Sequence, residues 1–331
     1  MSKMFIAVFL ALVPSFAYGQ TATQTDTTTK QAVPTAKPED VGMSAEKLAL
    51  IRPRLAQFVE ANEVPHAIVC VARRGKVVLL DSVGWSDIES KKEIENDSIL
   101  RFYSMTKAIT SVAVMILVEE GKVDLDEPVS KYIPEFGDLK VYVSDEESVA
   151  PDRAMTTRDL LRHTSGLTYG FFGNTPVDQQ YRKQGVLSKT DTLQDLATKL
   201  SELPLLYSPG KKFNYSVSTD VLGHLVERVA NEPLDEFFAD RILEPLGMRD
   251  TAFQVVPSKT DRFVNNYGPG GDGLRVIDDA DNSAYLEKPN HFSGGGGLTS
   301  TATDYMRFCQ MLLTKVSSMA SAYFKPKRSS K

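Results

Sequence analysis

The chain has 331 residues, of which 42% are hydrophobic and 24% charged, and its formal net charge is −5. That is globular composition, long enough for one large core or two smaller ones, and without a basic field it gives nucleic acid no reason to bind. Two cysteines, Cys70 and Cys309, make no disulfide framework, and the four histidines show no metal-ligand spacing.

Lys3, the apolar run Met4 to Val13 and the small residues around Ala17-Tyr18-Gly19 read as a cleavable export signal over residues 1–19. The run is too short to span a bilayer. A periplasmic or secreted product with no membrane span after signal cleavage is therefore expected. Residues 20–37, rich in Thr, Gln and Ala, read as a disordered leader. The folded part is expected from Pro38 to residue 314, and residues 315–331 form an atypical tail.

Ser44 to Asn62 carries a helical stripe of Leu48, Ile51, Leu55, Phe58 and Val59 behind a capping serine. A hairpin follows, Ala67 to Ala72 and Val77 to Leu80 around Arg74-Gly75, with Trp85 and Asp87 in the next connection. A long helix runs from Ser104 to about Glu120, its buried side Ile109, Val112, Ala113, Ile116 and Leu117, with Gly121 as C-cap. Ser144 to Asp152 reads as a surface loop and Thr156 to His163 as a short helix. Phe171 to Val186 is irregular, aromatic and Gln-rich, suited to a wall or lid. Helices are expected at Thr192–Leu203, Ser218–Ala230, Leu234–Leu243 and Ser300–Leu313, and Asn265 to Asp281 reads as a Gly- and Asp-rich loop. The order predicts an α+β fold with helices packed on an antiparallel sheet. Two clear strands are too few to be stable alone.

Ser-x-x-Lys occurs at Ser44/Lys47, Ser104/Lys107 and Ser208/Lys211. The first is a cap beside a surface lysine, and the third contains the turn Pro209-Gly210. Only Ser104/Lys107 follows an extended segment, Ile99 to Phe102, and opens an apolar helix. Its spacing puts a hydroxyl and an amine on one face, one turn apart. Such a pair can make a nucleophile without histidine. Taken alone, the pattern more readily describes a capping serine and a solvated lysine.

Further stretches surround that pair: Arg74-Gly75-Lys76, Phe102-Tyr-Ser-Met-Thr-Lys107, Leu160-Leu-Arg-His-Thr-Ser-Gly-Leu167, Tyr207-Ser-Pro-Gly210, Phe213-Asn-Tyr-Ser216, Leu243-Glu-Pro-Leu-Gly-Met248 and Gly294-Gly-Gly-Gly-Leu-Thr-Ser-Thr301. In these, and in their order, the chain resembles the serine β-lactamase and penicillin-binding-protein superfamily, in its class C-like esterase and transesterase branch. The resemblance implies a β-lactamase/transpeptidase-like fold with a helical region inserted at about Asp124–Gly247. It implies Ser104 as the acylated nucleophile, Lys107 as the amine that helps deprotonate it, and Tyr215 as partner base and later acid. No cofactor is implied. The substrate would be a small ester, amide or β-lactam-like molecule.

Two departures from the pattern bear on activity. Tyr215-Ser-Val217 carries valine where class C enzymes have the asparagine that holds a β-lactam's amide side chain. That favours ester over antibiotic hydrolysis. No Lys-Thr-Gly, His-x-Gly or Trp-x-Gly triplet follows Gly297, so the strand that carries it, one oxyanion donor and the remaining sheet strands are expected to be missing, as in a truncated or frame-shifted product. The readings left open are an exported esterase or transesterase, a β-lactamase or D,D-carboxypeptidase, and an inactive or ligand-binding relative.

Other patterns are weaker. Asp159, His163 and Ser165 offer triad residue types but no Gly-x-Ser-x-Gly elbow. Gly268-Pro-Gly-Gly-Asp-Gly273 matches a dinucleotide fingerprint in letters only, without the flanking strand and helix. Gly294 to Gly297 reads as a place where backbones approach closely near the site.

Overall fold

The computed structural model describes residues 33–271 and 273–313. The expected export signal, the leader as far as residue 32 and the tail from 315 lie outside the described residues. Within the expected leader, Val77 N donates to Pro34 O at 2.8 Å and Ala36 N to Val77 O at 3.0 Å, so ordered backbone begins ahead of Pro38.

The first helical stretch is two helices, α1 (Ala45–Ala49) and α2 (Ile51–Glu60), where one was expected. Ser44 caps α1 by accepting from Lys47 N at 3.2 Å. Pro53 has no N–H to return to Ala49, which accounts for the break. The strands β1 (His66–Arg73) and β2 (Lys76–Asp87) form an antiparallel hairpin that turns at Arg74 and Gly75, φ 53° and 75°. β2 is longer than its apolar run: it carries Trp85 and Asp87, expected in the connection, and pairs with β3 (Lys92–Glu93). The sheet order is β1-β2-β3, and among the described residues β1 has a strand partner on one edge only.

β4 (Leu100–Arg101) leads into a 3-10 turn, Tyr103–Met105, and then α3 (Thr106–Glu119). The expected apolar face of α3 is buried. Two expected loops are ordered. Ser144–Asp152 contributes to a hairpin of β5 (Val141–Ser144) and β6 (Glu147–Val149). Its apolar residues Val143 and Val149 are exposed, so no hydrophobic alternation announces it. After α4 (Thr157–Leu161), the irregular stretch from Phe171 contains α5 (Pro176–Gln184). α5 buries little beyond Val177, Asp178 and Tyr181, and its start is set by a capping box between Thr175 and Asp178.

α6 (Leu193–Ser201), α7 (Ser218–Ala230) and α8 (Leu234–Phe238) follow as expected, α8 running on through a π turn, Ala239–Leu243, to α9 (Glu244–Leu246). The core sits where α3, α4, α6 and α8 pack around α7, and its apolar cluster includes Leu117, Leu160, Leu196, Leu225 and Phe237. The Asn265–Asp281 stretch is a second unexpected hairpin, β7 (Asn266–Gly270) with β8 (Gly273–Asp278). It closes against β4: the buried Arg101 guanidinium bonds to Asp278 and to Val264 O, and lies 4.0 Å over the Phe263 ring. β9 (Thr299–Ser300) pairs with β4, and α10 (Ala302–Leu313) packs on β1. Cys70 and Cys309 are free and half-buried. No helix among the described residues is long and apolar enough to cross a membrane.

Candidate active site

Ser104 sits in the 3-10 turn that precedes α3, not in the α-helix itself. Tyr103, immediately before it, has φ 43°. A bulky residue in that region is strained and persists only where its surroundings fix it. Here Asn266 Nδ2 donates to Tyr103 Oη at 2.6 Å, Phe102 N to Leu298 O at 2.9 Å, and Tyr305 Oη to Met105 O at 3.1 Å. The turn is pinned on three sides, and Ser104 is exposed.

The structure brings the three expected site residues together. Tyr215 Oη donates to Ser104 Oγ at 2.7 Å, and Lys107 Nζ donates to the same oxygen at 3.2 Å. Tyr215 lies 111 residues along the chain from Ser104, on the segment that enters α7. Lys107 also donates to Gly295 O at 2.6 Å and stands 4.8 Å from the centre of the Tyr215 ring.

Spacing along the chain does not point to the Gly295 carbonyl as a partner of Lys107. The glycine loop is stitched to α3 and α7. Thr110 Oγ1 donates to Gly294 O at 2.7 Å, Leu298 N to Thr106 Oγ1 at 3.2 Å, and Gly295 N to Asp220 Oδ1 at 3.0 Å. A Cβ on Gly295 would stand 2.4 Å from Asp220 Oδ2, and one on Gly294 would stand 2.6 Å from Thr219 O. Only glycine lets this backbone reach Lys107, which is the close approach expected of the tetrad. Asp220 is buried in the first turn of α7. Its part in the site has no local signature, because it acts on a loop 75 residues away.

Tyr215 is held by rings rather than by its hydroxyl. His163 packs at 4.8 Å, Tyr169 at 5.4 Å and Phe172 at 5.9 Å between centroids. His163 Nδ1 accepts from Ser216 N at 3.3 Å. Burial, helped by the Lys107 charge, pushes the imidazole down to about 4, so it is neutral at pH 7. Burial raises the Tyr169 phenol far above its ordinary value, so it packs as an uncharged ring.

The triad residue types do not assemble. Ser165 Oγ is buried and bonds to Ser218 Oγ at 2.7 Å, while Asp159 is taken by Arg153 at 2.6 and 2.8 Å and by its own capping box. Val217 is fully buried in the main cluster and offers a ligand nothing polar. Gly268 to Gly270 lies in β7, so the dinucleotide spacing falls on a hairpin. Among the described residues no group of three or more His, Cys, Asp or Glu is arranged to hold a metal ion.

Comparison with known proteins gives the chain's family. The chain is 35% identical over 266 residues to "Protein Rv1367c" of Mycobacterium tuberculosis, covering 78% of this chain and 65% of that protein. It is 30% identical over 291 residues to "Esterase EstB" of Burkholderia gladioli, covering 83% and 71%. A similar solved structure is "EstCE1, a hydrolase with promiscuous acyltransferase activity", with TM-score 0.73 and 27% identity over 83% of this chain and 74% of that one. The chain thus spans about two thirds to three quarters of the length of these relatives. The beta-lactamase family profile matches residues 51–329, running into the stretch beyond Leu313 where no motif was legible. By its fold, its site and that match, the chain belongs to the beta-lactamase family, the superfamily of serine β-lactamases and penicillin-binding proteins.

Proposed function

We propose that this protein is a serine hydrolase of the esterase or transesterase type, working through an acyl-enzyme on Ser104. The observation that carries this reading is the convergence of Tyr215 Oη and Lys107 Nζ on Ser104 Oγ, at 2.7 and 3.2 Å. Ser104 Oγ attacks the ester carbonyl as its proton passes to the Tyr215–Lys107 pair, which enters the step one proton short, with either the amine or the phenol deprotonated. The tetrahedral oxyanion takes a hydrogen bond from the Ser104 amide, which lies in a first turn where amides have no partner within the helix. Tyr215 then returns a proton to the leaving alkoxide. Water or a second alcohol enters by the reverse route, giving hydrolysis or acyl transfer. Gly295 O and the Tyr215 ring hold the amino group of Lys107 one turn from Ser104.

Ester chemistry is favoured over β-lactam chemistry by Val217. A residue sealed in the core cannot bind an amide side chain. The names of EstB and EstCE1 point the same way. We further propose that the product works in the periplasm or outside the cell, on the strength of residues 1–19.

The test is hydrolysis of nitrophenyl butyrate beside a chromogenic cephalosporin, with a fluorophosphonate probe mapped by mass spectrometry. Turnover of the ester with label on Ser104 is expected. Preferential cephalosporin turnover would favour the β-lactamase or carboxypeptidase reading, and folded protein that takes no label would favour a ligand-binding relative.

A further inference from the structure

The face beside Tyr215 is unusually apolar for a surface. Phe171 is 60% exposed and Phe172 is 68% exposed. Their rings touch, with centroids 4.4 Å apart, and both rest on the buried Tyr169 at 5.0 and 5.6 Å. Large rings left in water cost free energy unless something covers them.

The loop that presents them is built, not slack. Gly170, φ 82°, seats against α5 so closely that a Cβ would stand 2.9 Å from Tyr181 Cβ. Gly173 seats likewise, 2.4 Å from Asp178 Oδ2. Arg182 ties the same turn from within α5, bonding to Gly170 O, to Gly173 O at 3.1 Å and to Asn174 Oδ1 at 2.7 Å. With both glycines pressed onto the helix, the intervening phenylalanines have only the outward side. The ionic groups nearby are engaged elsewhere. Arg182 is spent on loop carbonyls and Asn174, and Asp178 accepts from Thr168 Oγ1 and Thr175 Oγ1 at 2.5 and 2.7 Å.

We propose that Phe171 and Phe172 form a preorganised platform for the hydrocarbon part of the substrate, so that the preferred esters carry a long alkyl or an aryl group. This rests on the serine hydrolase reading, because the platform is placed by its contact with Tyr215, the ring whose hydroxyl meets Ser104. Two uncharged rings reward apolar area and offer nothing to a carboxylate, a phosphate or a sugar hydroxyl. The hydrocarbon can belong to the acyl group or to the alcohol, and both are covered by the same chemistry.

A Phe171→Ala/Phe172→Ala chain and its Phe171→Leu/Phe172→Leu counterpart test this. One ester series lengthens the acyl chain from acetate to octanoate on nitrophenol; the other lengthens the alcohol from methyl to octyl on butyrate. In one series the preference for the long chain, as a ratio of kcat/KM values, should fall about tenfold in the alanine chain, the worth of one or two buried methylenes, and return with leucine. The responding series tells which side of the ester lies on the platform. Calorimetric titration with 1-octanol needs no turnover, and its Kd should rise by a similar factor of about ten. If Ser104 takes no phosphonate label while octanol binding still depends on the two rings, the hydrolase reading fails and the platform stands. If Ser104 is labelled but neither chain-length preference nor octanol binding responds, or the unmodified chain shows neither, the platform is overturned.

Discussion

Replacing Tyr215 with phenylalanine removes one oxygen and leaves the ring. The contacts that hold that ring, to His163, Tyr169, Phe172 and Lys107 Nζ at 4.8 Å, do not involve the hydroxyl. What is lost is the 2.7 Å donor to Ser104 Oγ. As base in one half of the cycle and acid in the other, it should contribute about 10²–10⁴ to kcat/KM, or roughly 3–5 kcal/mol of barrier. The stability lost with one hydrogen bond is about 1 kcal/mol, and the corresponding shift in Tm should be no more than about 4 °C. The assay is kcat/KM on nitrophenyl butyrate, the rate of phosphonate labelling of Ser104, and a thermal melt. Lys107→Met should cost a similar factor, and the double variant little more than the worse single one, because the two groups move one proton as a unit. A Tyr215→Phe chain that keeps more than a tenth of wild-type kcat/KM, with Ser104 still the labelled residue, would refute the assignment.

Gly295→Ala should both destabilise the fold and slow the reaction. The new methyl stands 2.4 Å from Asp220 Oδ2, in a buried cradle. Overpacking of this kind costs about 1–3 kcal/mol, and pushing the Gly295 carbonyl off Lys107 by ~1 Å should cut kcat about 10²-fold; a melt and a rate measurement read the two effects separately. Asp159→Ala removes the acceptor of Arg153, of the Thr156 amide and hydroxyl, and of Thr164 Oγ1. Burial alone would raise this carboxyl, but the Arg153 and Thr156 hydrogen bonds outweigh it and hold it below the usual carboxylate range. Chemical denaturation should show a loss of about 2–3 kcal/mol, combining a lost cap with buried donors left unpaired.

The pH dependence of stability carries a signature of His163. Its folded imidazole titrates at about 4, pushed down by burial and by Lys107, whereas the unfolded one takes a proton near 6.5. Between those values the unfolded chain holds more protons, so stability must fall as pH drops through the window. His163→Gln removes the term. Melts at pH 6.5 and 4.5 should therefore show a smaller drop for the variant than for the wild type, and equal drops would contradict the neutral, buried assignment.

Much of the site was legible in the linear chain, because its decisive parts are local. Ser104 and Lys107 are one turn apart, and helical periodicity alone puts them on one face. Ser44, Thr156 and Thr192 announce helix starts through hydrogen bonds three residues long. The Gly294–Gly297 tetrad announces a close approach, though not to what. The two missed hairpins and α5 share a cause: they bury few apolar side chains, so their periodicity is faint against turn-forming letters. Burial pattern reports only what faces a core, and these elements face mainly water or a polar neighbour.

Tertiary structure alone decided the rest. Tyr215 meets Ser104 across 111 residues, and Gly295 O meets Lys107 across 188, through the packing of α7 on α3. It also took His163 and Ser165 away from any triad and turned Phe171 and Phe172 outward, Phe172 against the Tyr215 ring. Short-range pattern encodes what lies within a few residues. Which distant groups share one site depends on how the elements pack, and no spacing along the chain carries that information.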